Sequence, residues 1–144
     1  MMIFDRKYEM LPREDLAQIQ LERLQALVAR LRRNVPRSRK PLGDTRVESL
    51  DDLKRGPPTT PEDLAAAFPY GMFAMPLREV IRLHSTVGAR GVPVVSGYTR
   101  NDLTQWGRLA ARQLAAVGTT PHDVILVGFG GGMFTQSMAY LLGA

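Results

Sequence analysis

Cysteine is absent from all 144 residues, which excludes a disulfide framework and any thiolate metal site. Histidine is nearly absent. His84 and His122 do not have the three- or four-residue spacing that sets two ligands on one helix face, so no metal centre is expected. No run approaches the roughly eighteen apolar residues that a membrane span needs. The opening Met-Met-Ile-Phe-Asp-Arg-Lys-Tyr-Glu also lacks the apolar core of a secretory leader. A soluble, cytoplasmic chain with no membrane partner is the expectation. Aromatic residues make up only 7%, and none interrupts the basic cluster Arg30, Arg32, Arg33, Arg37, Arg39 and Lys40. That cluster therefore has no ring to stack on a base, and nucleic acid is not an expected partner although the net charge is +5.

The residues that are present suit one globular domain. Hydrophobic residues make up 44% and charged residues 23%, and a chain of this length buries about two-thirds of its unfolded surface. The expected class is α/β: a mainly helical segment over 1–76, then an α/β segment over 77–144 with two glycine-rich turns, together one incomplete domain. Leu21, Leu24, Val28, Leu31 and Val35 recur at three- and four-residue steps, predicting a helix from Pro12 to about Asn34. Pro12 suits its first turn, Glu14 and Asp15 meet the positive end of the dipole, and the arginines meet the negative end. Pro36 ends it. Ser49 with Asp52 and Thr60 with Asp63 have the hydroxyl-to-carboxylate spacing of a helix start, and Thr99 with Asp102 repeats it. Leu103, Trp106, Ala110, Leu114 and Val117 form the stripe of that last helix, and Gly118 is placed to end it. Met72, Phe73 and Met75 read as a core patch.

Val80–His84 and Val92–Ser96 read as strands joined in a hairpin, and Val124–Val127 as a buried strand. Strand, helix and strand in that order predict a right-handed βαβ unit with a parallel pair. A final helix is expected from near Thr135. Two glycine-bearing turns lie at the strand ends, where α/β folds bind ligands. Gly88 and Gly91 permit a loop that turns its N–H groups toward an anion. Neither turn has the Walker or dinucleotide spacing, so phosphate cradle and purely structural turn both stand on the residues alone.

The order of features resembles the N-terminal part of the phenylacetate-CoA ligase family, among the AMP-forming acyl-CoA ligases. Leu16–Arg33, LAQIQLERLQALVARLRR, is similar to that family's opening helix, and PPTTPEDL over 57–64 to its "PFTTKEDL". FPYGMFA over 68–74 resembles "YPFGLFA", GYTRNDL over 97–103 resembles "GYTRNDI", and GGGMFT over 130–135 resembles "GYGLFT". The likeness is collinear over nearly the whole chain. It implies part of an adenylate-forming ligase N-terminal domain, which uses ATP with magnesium to turn an aryl acid into an acyl-adenylate and then passes the acyl group to CoA.

By the same resemblance Thr86, Gly88, Arg90 and Gly91 occupy a phosphate loop that relatives write "SSGTTGKPT". Val87, Ala89, Val92 and Val94 have lost a hydroxyl or the lysine. Phe129, Met133 and Phe134 would line an acyl pocket, with Gly131 where relatives often carry tyrosine. His84 precedes the loop, as in relatives, and reads as a hydrogen-bonded structural residue. The family's ribose aspartate and C-terminal lysine have no counterpart here, so no catalytic residue is assigned. The expectation is a chain inactive alone, associating with itself or with a complementary ligase chain, or serving as a non-catalytic interaction or nucleotide-binding module.

Overall fold

The computed structural model describes residues 2–38, 46–56, 58–87, 91–128, 135 and 137–144. The chain forms two compact units: residues 11–76, and residues 1–10 together with 77–144.

The unit of residues 11–76 is built on helix α2, Arg13–Asn34, since α1 is the short Arg6–Glu9 turn near the N-terminus. Pro12 is the cap rather than the first helical residue, and Glu14 and Asp15 lie in the first turn with Arg32 and Arg33 in the last. The apolar stripe faces inward as its spacing requires: Val28 and Val35 are buried, and Leu21, Leu24 and Leu31 are half-buried. The Val35 N–H donates to the Leu31 carbonyl at 2.8 Å, the last such bond before Pro36. Gln25 Nε2 donates to the Val47 carbonyl at 2.9 Å, beside a 3-10 helix at Leu50–Arg55. A capping box of Ser49 and Asp52 starts that turn, and a second box of Thr60 and Asp63 starts α3, Pro61–Ala66, with proline at its first turn. Beyond α3, a Cβ on Gly71 would stand 2.8 Å from the Ala67 carbonyl oxygen, so the chain there folds back too closely for a side chain. Met72, Phe73 and Met75 are half-buried, and Tyr70 meets Phe73 edge to face at 5.2 Å.

In the other unit, β1 (Arg82–Val87) and β2 (Pro93–Tyr98) pair antiparallel, with Arg82 opposite Tyr98, His84 opposite Ser96 and Thr86 opposite Val94. The hairpin is the expected one, but β1 starts two residues later than the apolar run and ends three later at Val87, while β2 starts one later and ends two later at Tyr98. β-Branched Thr86 and Val87 continue the ladder, and the Ile81 N–H extends it by donating to the Tyr98 carbonyl at 2.9 Å. Thr99 and Asp102 then cap α4, Arg100–Ala116. Gly107, Ala110 and Ala115 are its buried residues, while Leu103, Trp106 and Leu114 are half-buried. Val117 does not join this stripe: it is the C-cap residue, past the last helical turn, and is 81% exposed. Gly118 follows at φ 94° and ends the helix as expected.

Helix α5, Met138–Gly143, crosses α4 at two glycines. A Cβ on Gly107 would lie 2.9 Å from the Leu142 carbonyl oxygen, and one on Gly143 would lie 2.6 Å from the Gly107 carbonyl oxygen. The parallel pair expected from Val124–Val127 is not formed. Among the described residues the sheet has only β1 and β2, and residues 123–128 carry no regular structure. A strand is defined by its neighbour, and no described segment pairs with this one. Val124 and Leu126 consequently stand 98% and 93% exposed.

Candidate functional site

The site suggested by the sequence is the loop joining β1 to β2. Thr86 stands exposed as the penultimate residue of β1, and Gly91 follows the loop at φ 75° with nothing within 4 Å of where a Cβ would be. A positive φ in open space favours glycine in any tight hairpin loop. Gly88 and Arg90 lie outside the described residues, as do Phe129, Gly131, Met133 and Phe134 of the expected acyl pocket. Val87 is 85% exposed.

Beneath the loop the strand faces are set by the two-residue period. Arg82, His84 and Thr86 share one face with Val94, Ser96 and Tyr98. His84 is the best-buried polar residue described, 1% exposed, and its ring meets Tyr98 edge to face at 5.3 Å and Trp106 at 6.1 Å. Tyr98 and Trp106 stack at 5.0 Å, which ties the hairpin to α4. Arg82 Nε donates to His84 Nε2 at 3.1 Å. This is the structural histidine the sequence suggested, two residues below Thr86. A shallow depression lined by Gly97, Tyr98, Asp102, Gln105, Trp106 and Leu109 opens on the same aromatic pair.

Three arrangements went unread in the sequence. The first is Asp5, whose Oδ2 accepts from Arg108 Nη2 at 2.6 Å and Arg112 Nη2 at 3.1 Å. Burial opposes its ionisation, yet the two guanidiniums outweigh that effect and hold its carboxyl below the usual range. More than a hundred positions separate these partners, so no local pattern could signal them. The second is the close glycine crossing of α4 and α5. The third is Thr120 with Asp123, the same hydroxyl-to-carboxylate spacing as the three helix starts, here closing a turn with no helix behind it. Asp52, Asp63 and Asp123 all sit below the usual carboxylate range, chiefly because backbone N–H groups of Glu48, Thr60 and Thr120 respectively donate to them. Among the described residues, no three His, Asp or Glu side chains are grouped to hold a metal ion, and no helix is long and apolar enough to cross a membrane.

No protein-family model matches the chain. Individual proteins do. The phenylacetate-coenzyme A ligase of Thermus thermophilus is 40% identical over 148 residues, covering 99% of this chain and 33% of that protein. That of Escherichia coli is 36% identical over 136 residues, covering 91% of this chain and 31% of its own length. This chain thus spans about a third of the curated relatives it matches. Among solved structures, an open conformation of 2-hydroxyisobutyryl-CoA ligase in complex with 2-HIB-AMP and CoA superposes with a TM-score of 0.79 at 25% identity, covering 96% of this chain and 34% of that one. The same ligase in its postadenylation state gives a TM-score of 0.78, at 24% identity.

Proposed function

The chain belongs to the phenylacetate-CoA ligase family, and we propose that it carries the N-terminal part of an adenylate-forming ligase without completing the reaction alone. The reaction in view joins an aryl carboxylate to AMP from ATP, then moves the acyl group to the thiol of CoA. The observation that carries this reading is the β1–β2 hairpin, with exposed Thr86 before its loop and left-handed Gly91 after it, at the positions that resemble the family's phosphate loop.

In this reading Thr86 would meet phosphate through its hydroxyl, Gly88 and Gly91 through backbone N–H groups, and Arg90 through its guanidinium. Magnesium would arrive with the nucleotide and screen its charge. Phe129, Met133 and Phe134 would form apolar walls for the acid, with Gly131 leaving room for its ring. The positions held by Val87, Ala89, Val92 and Val94 offer no hydroxyl or lysine. A hydrogen bond to a charged group contributes about 1.5–3 kcal/mol, so losing two weakens nucleotide binding by roughly a hundredfold or more.

Incubation of this chain with ATP, magnesium, CoA and phenylacetate is expected to yield no CoA thioester. A product peak above a no-protein control would overturn the claim of inactivity. Calorimetry is expected to find weak ATP binding that Arg90→Ala abolishes; tight binding unchanged by that substitution would refute the assignment of the loop.

A second reading, an interaction module or one chain of a split ligase, is supported by the exposed Val124 and Leu126. Mixing the chain with a polypeptide spanning the remaining two-thirds of a relative separates the two. Co-elution with thioester formation supports the split enzyme, and failure to co-elute counts against it.

A further inference from the structure

Residues 1–10 belong with the hairpin and α4, although the chain that follows them, from residue 11 to 76, forms a unit of its own. The attachment is only partly apolar, through Phe4 in a groove with Leu103 and Leu142. Met2, Ile3, Phe4 and Met10 each leave roughly half their surface in solvent, and no residue of α1 is buried. Nor can α1 hold itself, since one helical turn of four residues is far below the length at which an isolated helix persists. The closest contacts are between charged groups. Arg108 and Arg112 stand four residues apart on one face of α4, and both donate to Oδ2 of Asp5, whose side chain is only 10% exposed. Glu9 accepts from the Asp5 N–H at 2.7 Å and lies 3.6 Å from Arg112 Nε, while the Arg112 guanidinium stands 6.0 Å from the ring centre of Tyr8.

We propose that residues 2–10 form a strap latched to α4 by Asp5 against Arg108 and Arg112, and that the strap opens with rising ionic strength while the rest of its unit stays folded. The proposal stands apart from the ligase reading. Opening has a local consequence: Phe4 and Arg108 line one groove with Ile81, Leu103, Gly107 and Leu142. Release withdraws Phe4 from that groove and leaves the Arg108 guanidinium without its carboxylate partner. Arg108 is 45% and Arg112 29% exposed, so salt reaches the cationic side of the latch, where it screens charge over about 3 Å at 1 M.

Limited trypsin digestion of the full chain, followed by mass spectrometry, tests this. Cleavage after Arg6 and Lys7 is measured relative to cleavage after Arg23 and Arg30 in α2, the internal reference. The wild-type ratio is expected to rise at least about tenfold between low salt and about 1 M NaCl. Asp5→Asn should show the raised ratio already at low salt and respond no further, and Asp5→Glu should restore protection. A ratio indifferent to both salt and Asp5→Asn overturns the latch. Equal acceleration at the reference sites also overturns it, because the chain would then be unfolding as a whole. The salt series needs no substitution and remains decisive should a variant fold poorly.

Discussion

At the residue scale, the structure turns on positions where a side chain is either required or forbidden. Gly107 is forbidden one: a Cβ there would press on the Leu142 backbone, which cannot swing aside as a flexible side chain would. Alanine in a helix interior normally gains about 1 kcal/mol over glycine. Gly107→Ala is nonetheless expected to lower stability by about 1–2 kcal/mol, as overpacking does, read as a lower urea midpoint. A gain in midpoint would mean that α5 yields freely. His84 is the opposite case, a buried ring packed edge to face against the stacked pair Tyr98 and Trp106. Its structural part was legible from its place on a strand with an apolar neighbour. Its partners were not, because Tyr98 is reached through strand register and Trp106 through the packing of α4.

At the element scale, local chemistry was the most legible part of the chain. The starts at Ser49, Thr60 and Thr99 all carry the reciprocal box that their spacing predicted, since every bond involved closes within three residues. Thr99 Oγ1 donates to Asp102 Oδ2 at 2.7 Å and accepts from the Asp102 N–H at 3.3 Å. Thr99→Ala should therefore cost about 1 kcal/mol, measured by denaturant unfolding, while Thr99→Ser should cost much less. The failure at Val124–Val127 has the same physical root. An apolar, β-branched run states a preference for burial in a sheet, but pairing requires a neighbouring strand that the preference does not supply. The identical spacing at Thr120 and Asp123 makes the point again: it closes a turn and starts no helix.

At the scale of the whole molecule, four depressed carboxylates link folding to pH. Asp5, Asp52, Asp63 and Asp123 lie below their ordinary value of 3.8 in the folded chain, so the unfolded chain binds more protons as acid is added. Their contribution is fully present above that value and is lost as pH falls through the folded pKa values. Acid unfolding followed by circular dichroism should accordingly begin below about pH 4. Asp5→Asn and Asp63→Asn should each flatten the acid limb without adding a transition near neutrality, and a midpoint near pH 6 would contradict the account. The two compact units also belong to this scale. Residues 1–10 group with residues 77–144, and residues 11–76 form the other unit.

Alone, the order of residues determined the long helix, the capped starts, the hairpin and the collinear likeness to phenylacetate-CoA ligases. Each of these rests on periodicity, on bonds spanning a few residues, or on motif order. Only the tertiary structure decided that Asp5 reaches Arg108 and Arg112, that α4 and α5 meet at Gly107 and Gly143, and that Val124–Val127 pairs with no strand among the described residues. These depend on which distant surfaces meet, and for that local pattern carries no term.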